Sequence, residues 1–262
     1  MSEAVRYESR GDIGVITLDR PDNRNSMTPE LLDAFTAACA RAKLDGEARA
    51  IVITGTGSCF SSGADFKSVL QRADGGRPRT PDEQSYAMYE PFLGVLELEV
   101  PVIAACNGHA VGGGFGLAIL CDLRIGAREA KYGANFAKLG LHPGLAISWV
   151  LPRLVGVQRA AELLFTGRLV DGDEAARLGL LLEAVPAADV LPRALALART
   201  IADNAPAAIR LTKRTFYRGL AWDPRAGARA ESSPQALTLA TDDAAEGIAA
   251  LLEKRQPKFS GR

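Results

Sequence analysis

The sequence predicts an α/β fold in which buried strands and helices alternate through crossover connections, followed by a helical C-terminal region. Three observations predict it. Short apolar runs at 13–18, 50–54, 101–105 and 123–125 are separated by stretches whose apolar residues recur at helical spacing. Gly, Pro and Asp punctuate the changes of period. Beyond Pro186 the pattern is helical only.

Taken in order, Ile13-Gly-Val-Ile-Thr-Leu18 reads as a strand closed by Asp19-Arg-Pro21. Thr28, with Pro29 and Glu30, is the N-cap opening of a helix whose stripe is Leu31, Leu32, Phe35, Ala38 and Cys39, ending at Asp45-Gly46. Residues 50–54 form a second buried strand. A Gly/Ser-rich loop at 55–63 and a polar stretch at 74–81 follow. The next helix carries Tyr86, Tyr89, Leu93 and Leu96 on one face, most of which reads as core. A third strand at 101–105 leads through Asn107-Gly108 into Gly112-Gly-Gly114 and an apolar helix ending near Asp122. Strands at 123–125 and 180–185 come next, then helices at 190–204, 207–217 and 243–255, with Pro206, Pro224 and Pro234 as breakers. The division this suggests is a core of residues 1–195 and a helical region of 196–262, which must pack on the core or on another subunit.

Composition excludes several classes. Among 262 residues, 31 Lys and Arg balance 31 Asp and Glu, so no net field favours nucleic acid or an anionic membrane, and an anionic ligand must be held locally. No apolar stretch of about 18 residues is free of charges and breakers, so no membrane span is expected. Cys39, Cys59, Cys106 and Cys121 are far apart, without a C-x-x-C pair, and no secretory h-region stands at residues 1–7. They read as reduced and buried in a cytoplasmic protein. His109 and His142 are the only histidines and lie far apart, so no metal site is expected. Leu117 stands where a dinucleotide fingerprint starting at Gly112 needs glycine, and neither a phosphate loop nor a nucleophile elbow is present.

Two glycine-containing loops stand out: Phe60-Ser-Ser-Gly-Ala-Asp-Phe-Lys67 and Asn107-Gly-His-Ala-Val-Gly-Gly-Gly-Phe-Gly116. Each follows a strand and opens a helix. Glycine lets backbone N–H groups approach a ligand, and a helix N-terminus adds positive potential, which suits a developing oxyanion. For either loop alone, tight packing or a turn is the competing reading.

The order of these loops resembles the enoyl-CoA hydratase/isomerase, or crotonase, superfamily. The resemblance runs through Leu18-Asp-Arg-Pro21 with Asn25-Ser-Met27, both glycine loops, and Pro101-Val-Ile-Ala-Ala-Cys106 before the second loop. It continues in Gly140-Leu-His-Pro-Gly144, Leu151-Pro-Arg-Leu-Val-Gly156, Thr166-Gly-Arg168 and Phe259. It implies a crotonase-like (ClpP/crotonase) spiral of repeated ββα units, with a C-terminal helical region for trimerisation that completes the CoA site. It implies an acyl-CoA or enoyl-CoA thioester between the loops, its carbonyl oxygen accepting from the N–H of Ala64 and of Gly113. Ser62, Gly63, Asp65, Phe66, Gly112 and Phe136 are then substrate-binding positions. Lys67 and Arg24 lie near the CoA phosphates, and Lys258 with Phe259 reaches a CoA held by a neighbour. For each cation the competing reading is a solvated surface charge. Asp65 reads as ordering its own loop, and His109 as packing beside the glycine loop. Coenzyme A enters only as part of the substrate, no covalent cofactor is implied, and the assembly is a homotrimer or a dimer of trimers serving fatty-acid or related acyl-CoA metabolism.

The pattern breaks at two places. In the family's hydratases one glutamate follows the glycine loop and a second sits in a G-x-P-E segment; here those positions are Gly116 and Phe136, and Asn135 replaces the proline. Neither side chain can exchange protons. A positioned acid or base contributes roughly 10² to 10⁴-fold, so standard hydration should be severely suppressed. Phe136, Leu145, Ile147 and Trp149 imply a drier acyl pocket. His142 is the candidate replacement acid/base, with an exposed loop histidine as the competing reading. Tyr86, Tyr89 and Glu90 form a second candidate group, with core packing competing for the tyrosines. The leading expectation is an enzyme working through a thioester enolate. The alternatives are a non-catalytic acyl-CoA-binding protein and an isomerase using His142.

Overall fold

The computed structural model describes residues 3–65 and 80–262, and its first element is a hairpin. Strand β1 (Val5–Arg10) turns at Gly11 and returns antiparallel as β2 (Ile13–Leu18). The sequence reading missed β1 because only alternate residues, Val5 and Tyr7, are buried apolar ones. Helix α1 (Pro29–Leu44) starts at Thr28, whose side chain accepts from the Leu31 N–H, and its stripe of Leu31, Leu32, Phe35, Ala38 and Cys39 is buried as expected. Strand β3 (Ala50–Gly55) pairs parallel with β2. The expected loop at 55–63 instead contains a short strand, β4 (Cys59–Ser61), too brief to show a period.

Helix α2 (Pro81–Leu93) buries Tyr89 and Phe92, and Phe92 meets Phe35 edge to face at 4.9 Å. Tyr86 and Leu96, expected in the core, are 60% and 61% exposed. The first turn and a half of α2 stands clear of the body, and Leu96 lies beyond the helix in a 3-10 turn that rotates it outward. Then come β5 (Val102–Cys106), β6 (His109–Val111), α3 (Gly113–Leu120), β7 (Leu123–Ala127) and β8 (Lys131–Gly133). Helices α4 (Ile147–Val155) and α5 (Val157–Thr166), strand β9 (Val170–Asp171), helix α6 (Gly172–Arg177) and strand β10 (Glu183–Val185) complete the core.

Two sheets result, a six-stranded one of order β1-β2-β3-β5-β7-β10 and a four-stranded one of order β4-β6-β8-β9. Three times, from β3 to β4, β5 to β6 and β7 to β8, the chain steps from the first sheet to the second. Parallel pairing within each sheet then stacks these steps into the ββα spiral that the resemblance implies. Helix α7 (Val190–Ala202) closes the first sheet: Val190, Ala194, Ala198 and Ala202 are fully buried at i, i+4 spacing, and their small size lets the helix lie close to β3, β5 and β7. The division expected after residue 195 falls inside this helix.

The remaining helices are α8 (Pro206–Gly219), α9 (Pro224–Leu239) and α10 (Asp242–Glu253). Pro206 and Pro224 open helices rather than break them, because the first turn has no use for an N–H. Pro234 sits inside α9, a helix without a buried residue, where a freed carbonyl can be solvated. Lys213 donates from α8 to Asp122 at 2.7 Å and to the Val100 carbonyl at 2.9 Å, which ties the helical region to the core. All four cysteines are free and buried, and burial pushes the Cys39 and Cys106 thiols up to about 12, so neither forms a thiolate near neutral pH.

Candidate active site

The first loop is held by the segment before α1. Arg24 and Asn25 both adopt left-handed backbone conformations, which doubles the chain back on itself. Asn25 is fully buried and uses both ends of its amide: Oδ1 accepts from the Arg20 N–H at 2.8 Å, and Nδ2 donates to the carbonyls of Thr56 at 3.0 Å and Cys59 at 2.9 Å. Ser61 Oγ donates to the Asn25 carbonyl at 2.8 Å, the Ser62 N–H donates to the Arg24 carbonyl at 3.0 Å, and the Ser26 and Ser62 hydroxyls lie 3.0 Å apart. Met27 donates its N–H to the Gly63 carbonyl at 2.8 Å and bridges in parallel to Ala64. Four consecutive residues, 24–27, therefore set the position of 61–64.

The second loop is pressed against the first. Gly63 has φ +82, and a Cβ there would lie 2.7 Å from the Val111 carbonyl and 2.8 Å from the Gly113 nitrogen. Side chains at Gly113 and Gly114 would collide with Met27 Sδ and the Ser61 carbonyl. Close approach of two backbones is thus the reason for this glycine run. The Gly112 N–H is taken by the Gly133 carbonyl at 3.0 Å. Among the described residues, the N–H groups of Ala64 and Gly113 donate to none. Gly113 opens α3, so its N–H carries the positive end of a helix dipole.

Beside this cradle, the two positions without glutamate are filled by apolar groups. A Cβ on Gly116 would lie 2.7 Å from Leu145 Cδ2 and 3.1 Å from Leu145 Cβ. Leu145 and Ala146 are both left-handed, with φ of 54 and 55, a conformation that costs roughly 1–2 kcal/mol per non-glycine residue. Phe136 is buried in the 3-10 turn Asn135–Leu139, its Cζ 3.9 Å from where a Cβ on Gly112 would stand. Phe136, Leu145 and Ile147 are buried, as a dry pocket requires. Trp149 departs from that expectation: it is 55% exposed and carries the Arg153 guanidinium over its ring at 3.8 Å. It lies in the first turn of α4, four residues beyond Leu145, and lines the cavity beneath α8.

The other candidates differ in their surroundings. His142 is exposed on the loop before Leu145, and His109 is exposed, its Nδ1 accepting from the Lys131 N–H at 2.9 Å. Arg24 and Lys258 are exposed; the Lys258 N–H donates to Glu246 at 2.8 Å, and the Phe259 ring lies against Gly247. Asp65 is half-buried and engaged. Phe66 and Lys67 lie outside the described residues. Glu90 is exposed, whereas the Tyr89 ring is buried against Gly144, its Cζ 2.5 Å from a Cβ position there. Sequence reasoning gave no role to Asn25, Met27 or Ser61, although all three stand in the motif segments.

A sequence profile of the enoyl-CoA hydratase/isomerase family matches residues 8–262. The chain is 36% identical to a probable enoyl-CoA hydratase of Mycobacterium leprae over 250 residues, covering 95% of each chain. It is 38% identical to a probable enoyl-CoA hydratase of Rhodobacter capsulatus over 259 residues, covering 98% of each. Its structure is similar to the crystal structure of an enoyl-CoA hydratase from Bacillus anthracis, with a TM-score of 0.91, 32% identity, and coverage of 99% of this chain and 100% of that one.

Proposed function

The chain belongs to the enoyl-CoA hydratase/isomerase family, and from that premise we propose that it is an enzyme acting on an acyl-CoA or enoyl-CoA thioester through an enolate-like intermediate, with little hydratase activity. The observation that carries the reading is the pairing of an intact cradle with a filled water site. The N–H groups of Ala64 and Gly113 are free for a thioester oxygen among the described residues, on loops held together by Gly63 and Met27. Each such donor is worth about 3 kcal/mol to a developing oxyanion. Leu145 stands where a Gly116 side chain would go, and Phe136 lies against Gly112, so neither position holds or activates water. In this reading Lys258 and Phe259 complete the CoA site of a neighbour in a trimer or a dimer of trimers. The exposed apolar residues Phe216, Leu237, Ile248 and Leu251 of α8 to α10 support such an assembly.

A second reading, a non-catalytic acyl-CoA-binding protein, draws on the exposure of His142, which leaves the cradle without that acid/base. Mass spectrometry of the protein mixed with a panel of acyl-CoA and enoyl-CoA thioesters separates the two. A mass change in a retained thioester supports the enzyme, retention without change supports the binding protein, and no retention removes both.

A further inference from the structure

Met27 stands immediately before Thr28, the N-cap of α1, and its side chain is fully buried. Its N–H donates to the Gly63 carbonyl at 2.8 Å. That carbonyl and the Ala64 N–H belong to one peptide unit, which is planar and trans, so the two groups point in opposite directions. Fixing the oxygen at Met27 therefore aims the Ala64 N–H away from Met27.

The other end of Met27 reaches the second loop. A Cβ on Gly113 would collide with Met27 Sδ and lie 3.4 Å from its Cε, so the thioether is seated against the bare α-carbon of the residue that opens α3. Both of these atoms lie beyond Cγ, and a side chain ending at Cγ would leave Gly113 without that support. We infer that Met27 is a positioning residue for the cradle: its backbone orients the Ala64 N–H, its thioether fixes where the Gly113 N–H stands, and the two donors converge on one thioester oxygen because a single residue holds both. The inference rests on the thioester reading above.

The test is calorimetric titration of the full chain, of Met27→Val and of Met27→Leu with butyryl-CoA and with S-butyl-CoA, a thioether that keeps the four carbons and lacks the carbonyl oxygen. Both variants keep an apolar side chain at this buried position. CoA and alkyl contacts are common to the two ligands, so the ratio of their affinities reads the cradle alone, whereas a merely structural role for Met27 would lower both alike. The wild type should bind butyryl-CoA about tenfold more tightly than S-butyl-CoA. Met27→Val should cut that ratio to about threefold or less with S-butyl-CoA affinity unchanged, and Met27→Leu, which restores δ-carbons, should recover most of it. A wild-type ratio in Met27→Val, an equal loss for both ligands, or no recovery in Met27→Leu would overturn the positioning role while leaving the thioester reading in place. Equal affinities in the wild type, or failure to bind either ligand, would overturn the thioester reading and this inference with it.

Discussion

Leu145 occupies the space beside Gly116: a Cβ on residue 116 would lie 2.7 Å from Leu145 Cδ2. On the proposed reading, position 116 therefore has no room for a glutamate side chain. Gly116→Glu alone should destabilise the protein by about 1–3 kcal/mol through overpacking. Adding Leu145→Gly removes the collision and suits the left-handed backbone, so the double variant should be more stable than the sum of the two single changes predicts. Strict additivity in a denaturation cycle would contradict the packing described.

The cradle depends on Gly63. In Gly63→Ala the methyl group would lie 2.7 Å from the Val111 carbonyl and 2.8 Å from the Gly113 nitrogen, at a φ of +82. The loops must part. Affinity for a retained acyl-CoA should fall by about tenfold or more, together with a lower melting temperature. Unchanged affinity would place the thioester elsewhere.

Asn25 holds the first loop. Asn25→Ala loses three hydrogen bonds and leaves a non-glycine residue in a left-handed conformation with no amide to stabilise it. A loss of about 3 kcal/mol in urea denaturation is expected. A loss below about 1 kcal/mol would mean the clasp is incidental.

The C-terminal tail has its own pH signature. The Arg255 guanidinium, and then the Lys258 N–H, hold the Glu246 carboxyl down at about 2 from an ordinary value near 4.5. A depressed carboxylate contributes fully above its unfolded value and loses that contribution as pH falls through the folded one. The Lys258 amide and the Glu246 carboxyl should thus titrate together near pH 2 by NMR, and a common midpoint near 4.5 would contradict the contact.

Nearly continuous apolar runs between breakers made β2, β3 and β5 legible in the sequence, because burial on both faces leaves few polar residues to confuse the period, and α1 was legible from its stripe at helical spacing. Strands of two or three residues, β4, β6, β8 and β9, carry no period and stayed hidden inside what read as loops. That the loops of Ala64 and Gly113 meet was legible from glycine runs in a familiar order. The pairings around these loops, Asn25 with Cys59, Met27 with Gly113, Leu145 with Gly116 and Tyr89 with Gly144, join residues far apart in the chain. Local pattern holds no record of them. His142 shows the reverse: its residue type suggested chemistry, and its loop carries it into solvent.

Crotonyl-CoA hydration, measured beside a two-glutamate hydratase, decides whether this protein is a thioester cradle from which water activation has been removed. Crotonyl-CoA should be retained by the protein while hydration falls by about 10²-fold or more. Hydration at a rate comparable with that of the two-glutamate enzyme would contradict it, and would mean that some group other than residues 116 and 136 delivers the water.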